Sequence, residues 1–188
     1  MSERILTSHQ ANYGLEYIES EDELTEYLDK IVPYLGWIIV YFNSLEEHIS
    51  DFIREGLLRD HFHDNRLDVF LSEMSFLNKC KGLIHLYGQI IEDGLVEYTQ
   101  KDLSSLEKML NECSMRRNEY VHADWLGVRK ENYVRVKSKS KKQGISHSFK
   151  SFDDAKMKED IEFINNARHI LNEFNDQIMS QLFSRNPS

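Results

Sequence analysis

For most of its length this chain carries apolar residues at alternating spacings of three and four, and the pattern breaks only where polar residues cluster. The series Leu28, Ile31, Leu35, Ile38, Phe42, Leu45, Ile49 and Phe52 predicts one long helix with a single buried seam. Ser20 ahead of Glu21, Asp22 and Glu23 supplies a cap and first-turn acids, and Pro33 is a place for a kink. Trp37, Ile39, Val40 and Tyr41 widen the apolar surface, so this helix is expected to face a second partner element. The series stops near Gly56.

A short helical stretch over 66–74 precedes a longer helix that Ser75 would cap, with Phe76, Cys80, Leu83, Ile84, Tyr87 and Ile91 on one face. Beyond a break flanked by Gly94 and Thr99, Asp102 can cap a third long helix that buries Leu103, Leu106, Leu110, Cys113 and then Tyr120 or Val121. After Trp125 and Gly127 the period changes to two. YVRVK at 133–137 and ISHSFK at 145–150 flank KQG as the strands of a ribbon. Ser151 and Asp154 have capping-box spacing ahead of a closing helix with Met157, Ile161, Ile164, Ala167, Leu171, Phe174, Ile178 and Leu182 on one side. The expected fold class is all-α, an up-and-down helical bundle of four or more helices with a small β-ribbon inserted before the last helix. Residues 1–19 show no period and are expected to form a loosely docked arm. Residues 20–185 are read as one domain, with 129–150 as the ribbon insertion.

Composition agrees with a folded chain rich in helix: 40% of residues are hydrophobic, with 10 Phe and 9 Tyr, against only 2 Pro and 8 Gly. Cys80 and Cys113 have no Cys-x-x-Cys partner and read as reduced core thiols of a cytoplasmic protein. MSERILTSHQ lacks the layout of a signal peptide, and the run IVPYLGWIIVYF falls short of the roughly 20 residues of a membrane span. A soluble protein without a membrane partner is therefore expected.

Charge is uneven. The whole chain carries −9, yet residues 129–150 hold eight Lys or Arg against Glu131 alone. Such a segment can focus a phosphate backbone at one place on an acidic body, or serve as a solvated loop. In RDHFHDNR at 59–66, His61, His63 and Asp64 are metal-ligand types, but a metal needs a fixed set of three or four and no other cluster stands nearby, so no metal site is assigned. No cofactor is implied.

RRNEYVHADW at 116–125 gathers Arg116, Arg117, Asn118 and His122 where the third helix runs out. At about 100° per residue, Arg117 and His122 stand roughly 140° apart on a regular helix, so they converge only if the helix ends near His122 or a second copy lies alongside. Arginine offers a planar donor fork to phosphate, and histidine exchanges a proton near neutrality. RNA supplies its own 2′-hydroxyl nucleophile, so this residue set suits RNA cleavage, whereas DNA would be spared. The same residues could instead cap the helix or pair with acids.

Arg117-Asn118-Glu119-Tyr120-Val121-His122 resembles the Arg-x4–6-His signature of the HEPN superfamily, including the polar residue directly after the arginine. The order of a long first helix, a second beginning SFLNKCKGLIHLYG, the motif late in a third, a basic ribbon and a last amphipathic helix is similar to a HEPN domain over most of residues 20–185. The resemblance implies a homodimeric, metal-independent endoribonuclease of bacterial defence or toxin–antitoxin systems, restrained by an antitoxin or other regulatory protein. It implies Arg117 and His122 as the catalytic pair, Asn118 as the residue that orients them, and 2′,3′-cyclic phosphate and 5′-hydroxyl products. HEPN toxins silenced by adenylylation carry a tyrosine two residues after the histidine, a place held here by Asp124. Arg116, Arg135, Lys137, Lys139, Lys141 and Lys142 are the expected RNA-binding residues. The alternative is a non-catalytic HEPN-like dimer that binds a nucleotide or a protein partner through the same polar pocket.

Overall fold

A computed structural model describes residues 3–6, 9, 13–58, 60, 62–129, 132–142 and 144–184. The chain is mostly helical, with antiparallel strands ahead of the last helix. In chain order the elements are β1 (Glu3–Leu6), β2 (Glu16–Tyr17), α1 (Glu21–Leu57), a 3-10 turn (Asn65–Leu67), α2 (Asp68–Leu71), α3 (Phe76–Glu92) and α4 (Gln100–Val121). There follow β3 (Asp124–Leu126), β4 (Val128–Arg129), β5 (Tyr133–Lys141), β6 (Gly144–Phe152) and α5 (Asp154–Ser184). They form two compact units, one from residues 1–40 and 116–162, the other from 41–115 and 163–188.

Among the described residues, the first unit holds all the strands. β5 and β6 form the expected hairpin, with Lys141 opposite Gly144 and Tyr133 opposite Phe152. The hairpin is the centre of a four-stranded antiparallel sheet of order β1-β6-β5-β3, while β2 and β4 pair separately. The aperiodic first residues thus include an edge strand, too short to announce itself by alternation. Val128, Val134, Val136 and Phe149 form a buried cluster with Leu15 and Leu126 against it. Buried Tyr120 and Phe152 pack with half-buried Trp125, with ring centroids 5.3–5.9 Å apart.

In the second unit α3 begins at Ser75, whose hydroxyl accepts from the Asn78 amide. It ends at Gly94, at φ +67°, where Gly94 N–H donates to Ile91 O and Leu95 N–H to Ile90 O. That pair of bonds satisfies orphan carbonyls, and the left-handed residue between them suits glycine. Phe42 packs on Phe76, and Phe174 on Tyr87 and Tyr98. Buried Asn175 accepts from Tyr87 Oη at 2.8 Å and donates to Glu55 Oε2 at 2.8 Å. Cys80 and Cys113 are both buried, and burial pushes the Cys80 thiol up to about 12.

Three details depart from expectation. α1 runs unbroken through Pro33, and its buried residues include Tyr27 and Ile53, whereas Leu28 is exposed and Phe52 half-buried. A strict alternation of three and four has period 3.5 and drifts by about 20° per heptad from a straight helix, which moves the buried stripe at both ends. α4 is capped by Thr99, whose hydroxyl and amide donate to Asp102 Oδ2 at 2.6 and 3.0 Å, so Asp102 is the reciprocal partner. α5 is capped by Asp153, which accepts from Lys156 N–H at 2.9 Å, because β6 runs on through Ser151. Among the described residues no helix is long and apolar enough to cross a membrane.

Candidate functional site

α4 ends at Val121, leaving the carbonyls of its last turn without helical partners. Side chains of β3 and β5 reach them. Lys137 Nζ donates to Asn118 O, Arg135 Nη1 to Glu119 O at 3.1 Å, and Trp125 Nε1 to Tyr120 O at 3.2 Å. Two cations at a helix C-terminus also oppose its negative dipole end. Arg135 is only 2% exposed, sits 5.7 Å over the Phe152 ring, and lies 2.5 Å from Glu119 Oε2, which Lys150 Nζ approaches to 3.3 Å. Arg135 was expected to face an RNA backbone. It is instead a buried cap and presents no surface to a phosphate. Lys137 is half-buried and also acts as a cap, though it keeps an edge on the groove described below.

Arg116 turns toward α5. Its Nη1 lies 2.6 Å from Asp160 Oδ1 and 3.1 Å from Glu159 Oε1. Lys156 Nζ stands 2.9 Å from the same Asp160 oxygen, and Tyr120 Oη donates to the other one. Burial works against the Lys156 charge, but its bonds to Asp160 and Glu159 outweigh this and hold its pKa above the usual 10.5. Lys156, and then Arg116, keep Glu159 below its ordinary 4.5. Arg116 is therefore committed to a largely buried ion cluster joining α4 to α5.

Arg117, half-buried, donates from Nη1 to Asn118 Oδ1 at 3.0 Å. His122 is exposed, one residue past the helix end, on the wall of a groove of about 460 Å3. Val121, Ala123, Asp124, Val136, Lys137 and Ser138 complete that wall. Arg117 and Asn118 do not line it, in keeping with their position around the helix. Within one chain, then, the groove combines an imidazole, an ammonium, a hydroxyl and a carboxylate. Ser138 Oγ is 2.8 Å from His147 Nδ1, so a second imidazole is in contact with a groove-lining hydroxyl. Lys142 is exposed in the hairpin turn, while the side chains of Lys139 and Lys141 lie outside the described set.

In the 59–66 segment, His61 lies outside the described residues. His63 Nδ1 is 3.0 Å from Asp60 Oδ1, and Asp64 accepts from the Arg66 amide to cap the 3-10 turn. Among the described residues no three His, Cys, Asp or Glu side chains are placed to hold a metal ion.

Asp160 and His147 play no part in the sequence reading, although each leaves a signal. Asp160 is a carboxylate three residues after Met157 and four before Ile164, on the apolar side of α5. His147 stands in the ISHSFK run, and the observed register pairs it with Ser138. Compared with protein-family models, curated proteins and solved structures, the chain gives no match.

Proposed function

We infer that this protein is a HEPN-type endoribonuclease that cleaves RNA without a metal ion. The observation that carries the reading is His122, exposed on a groove wall directly beyond the end of α4, five residues after an arginine that Asn118 steadies. His122 is exposed on that wall, so its imidazole is accessible to a ligand.

In the reaction, His122 accepts the proton of the 2′-hydroxyl, and the 2′-oxygen bonds to phosphorus. The P–O5′ bond breaks and the 5′-oxygen takes up a proton, leaving a 2′,3′-cyclic phosphate and a 5′-hydroxyl. Arg117 neutralises charge on the non-bridging oxygens. Arg117 does not line the groove of its own chain, so the complete site is composite: two copies of an up-and-down bundle place one chain's Arg117 and Asn118 beside the other's His122. A cytoplasmic role in bacterial defence, with an antitoxin to restrain it, belongs to the same reading.

A second reading is a non-catalytic dimer that binds a nucleotide or protein. Asp124 favours it, since its carboxylate stands on the groove wall two residues after His122 and opposes a polyanion. The deciding experiment is cleavage of a mixed RNA pool by purified protein in excess EDTA, wild type beside Arg117→Ala and His122→Ala. Cyclic phosphate ends from wild type alone support the ribonuclease. A folded, silent wild type that still binds a nucleotide supports the second reading.

A further inference from the structure

The cyclisation needs two proton transfers, one from the 2′-oxygen and one to the 5′-oxygen. A single imidazole cannot begin the step both neutral and protonated. The first unit supplies another. Ser138 lines the groove with His122, and His147 is its cross-strand partner, with Nδ1 2.8 Å from Ser138 Oγ. The β3–β5 register sets Asp124 opposite Val136. His122 lies two residues before that strand, in the bend after α4, and shares the groove wall with Ser138. His147 is thus bonded to a residue that lines the groove together with His122. Two imidazoles about one groove can serve the two ends of one phosphodiester.

His147 is also prepared for such a task. Its ring packs 6.3 Å from that of buried Phe149, the serine holds Nδ1, and its exposure leaves Nε2 open to a ligand. The charged groups on the groove wall beside the two imidazoles are Asp124 and Lys137, and the Lys137 ammonium is bonded to Asn118 O.

We propose that His147 is the second proton-transfer group of this groove, protonating the 5′-oxygen of RNA as it leaves while His122 takes the 2′-hydroxyl proton. The inference rests on the ribonuclease reading and adds the acid to it. The electron pair of the breaking P–O5′ bond ends on the 5′-oxygen with the His147 proton, and His122 keeps the proton it gained. His122, Ser138 and His147 gather about the groove of one chain, so both proton transfers come from the same protomer even where Arg117 comes from the other.

The test compares wild type, His122→Ala and His147→Ala on two dinucleotides, one ordinary and one with sulfur at the bridging 5′ position. A thiolate leaves without being protonated. His147→Ala should lose about 10²–10⁴ in rate on the oxygen substrate. It should regain nearly all of that on the sulfur substrate and lose the alkaline fall of the pH–rate profile. His122→Ala should be slow on both. Equal deficits of His147→Ala on the two substrates, or a wild-type rate on the ordinary one, would overturn the role of His147 and leave the ribonuclease reading standing. A wild type that cleaves neither substrate removes both. His147 is exposed, so a circular-dichroism melt within a few degrees of wild type is expected and separates a catalytic loss from a folding one.

Discussion

Asp160→Ala tests the ion cluster that positions the end of α4. The carboxylate is 3% exposed and receives Arg116 at 2.6 Å, Lys156 at 2.9 Å and the Tyr120 hydroxyl. Truncation leaves two cations facing each other and strands the hydroxyl of a tyrosine that is 2% exposed. Removing one partner of a buried pair costs about 3–5 kcal/mol. Here Arg116 and Lys156 are 19% and 17% exposed at the side chain, and both retain Glu159 at 3.1 Å, so the lower end, about 3 kcal/mol, is expected. Asp160→Asn keeps an acceptor and should cost about half as much, in line with the worth of a charged hydrogen bond. Urea unfolding followed by tryptophan emission is the assay, because Trp125 stacks on Tyr120 and Trp37 belongs to the same unit. The midpoint should fall with the slope unchanged. A loss below about 1 kcal/mol for Asp160→Ala would refute the argument that this carboxylate ties α4 to α5, and Arg116 would then be available to a ligand.

Asn175→Ala strands the hydroxyl of fully buried Tyr87 and should destabilise by about 1–3 kcal/mol, read as a drop in urea midpoint, with Tyr87→Phe on the same background recovering part of it. The pKa of Glu159 is depressed, so its contribution is present above pH 4.5 and is lost as pH falls through its folded value. Glu159→Gln should therefore melt lower than wild type near neutrality, by an amount that salt reduces, and the gap should close on acidification below 4.5. A gap independent of pH would count against the pairing. Neutralising Lys139, Lys141 and Lys142 should flatten the dependence of log K for RNA on log salt by about 0.7 for each phosphate contact removed. An unchanged slope takes the hairpin turn out of RNA binding.

Much of the local structure was legible in the chain. Ser75 marks the start of α3 and Gly94 its end because each supplies a group that helix termini lack. The KQG turn between alternating runs gives the hairpin, whereas the register that pairs Ser138 with His147 was decided by the fold, which takes Gly144 into β6. Where caps and buried faces differ, they differ by a residue or a few: Tyr27 for Leu28, Thr99 for Asp102, Asp153 for Ser151. In each, two neighbouring residues had the right chemistry and only the exact run of the backbone chose between them.

While the short strands β1 to β4 were decided by pairing, the sequence by itself thus determined where the long helices and the ribbon hairpin form and that Arg117 and His122 cannot meet on one regular helix. Those properties depend on residues within a few positions of one another, and the backbone's periods convert spacing into direction. Tertiary structure alone decided what each cation does. From composition Arg116, Arg135, Lys137 and Lys142 are equivalent positive charges near a motif. In the fold Arg116 meets Asp160, Arg135 and Lys137 close the end of α4, and Lys142 stays exposed. Long charged side chains take the nearest unsatisfied partner, and that partner lies 16 to 44 residues away, at a distance set by packing rather than by any local period.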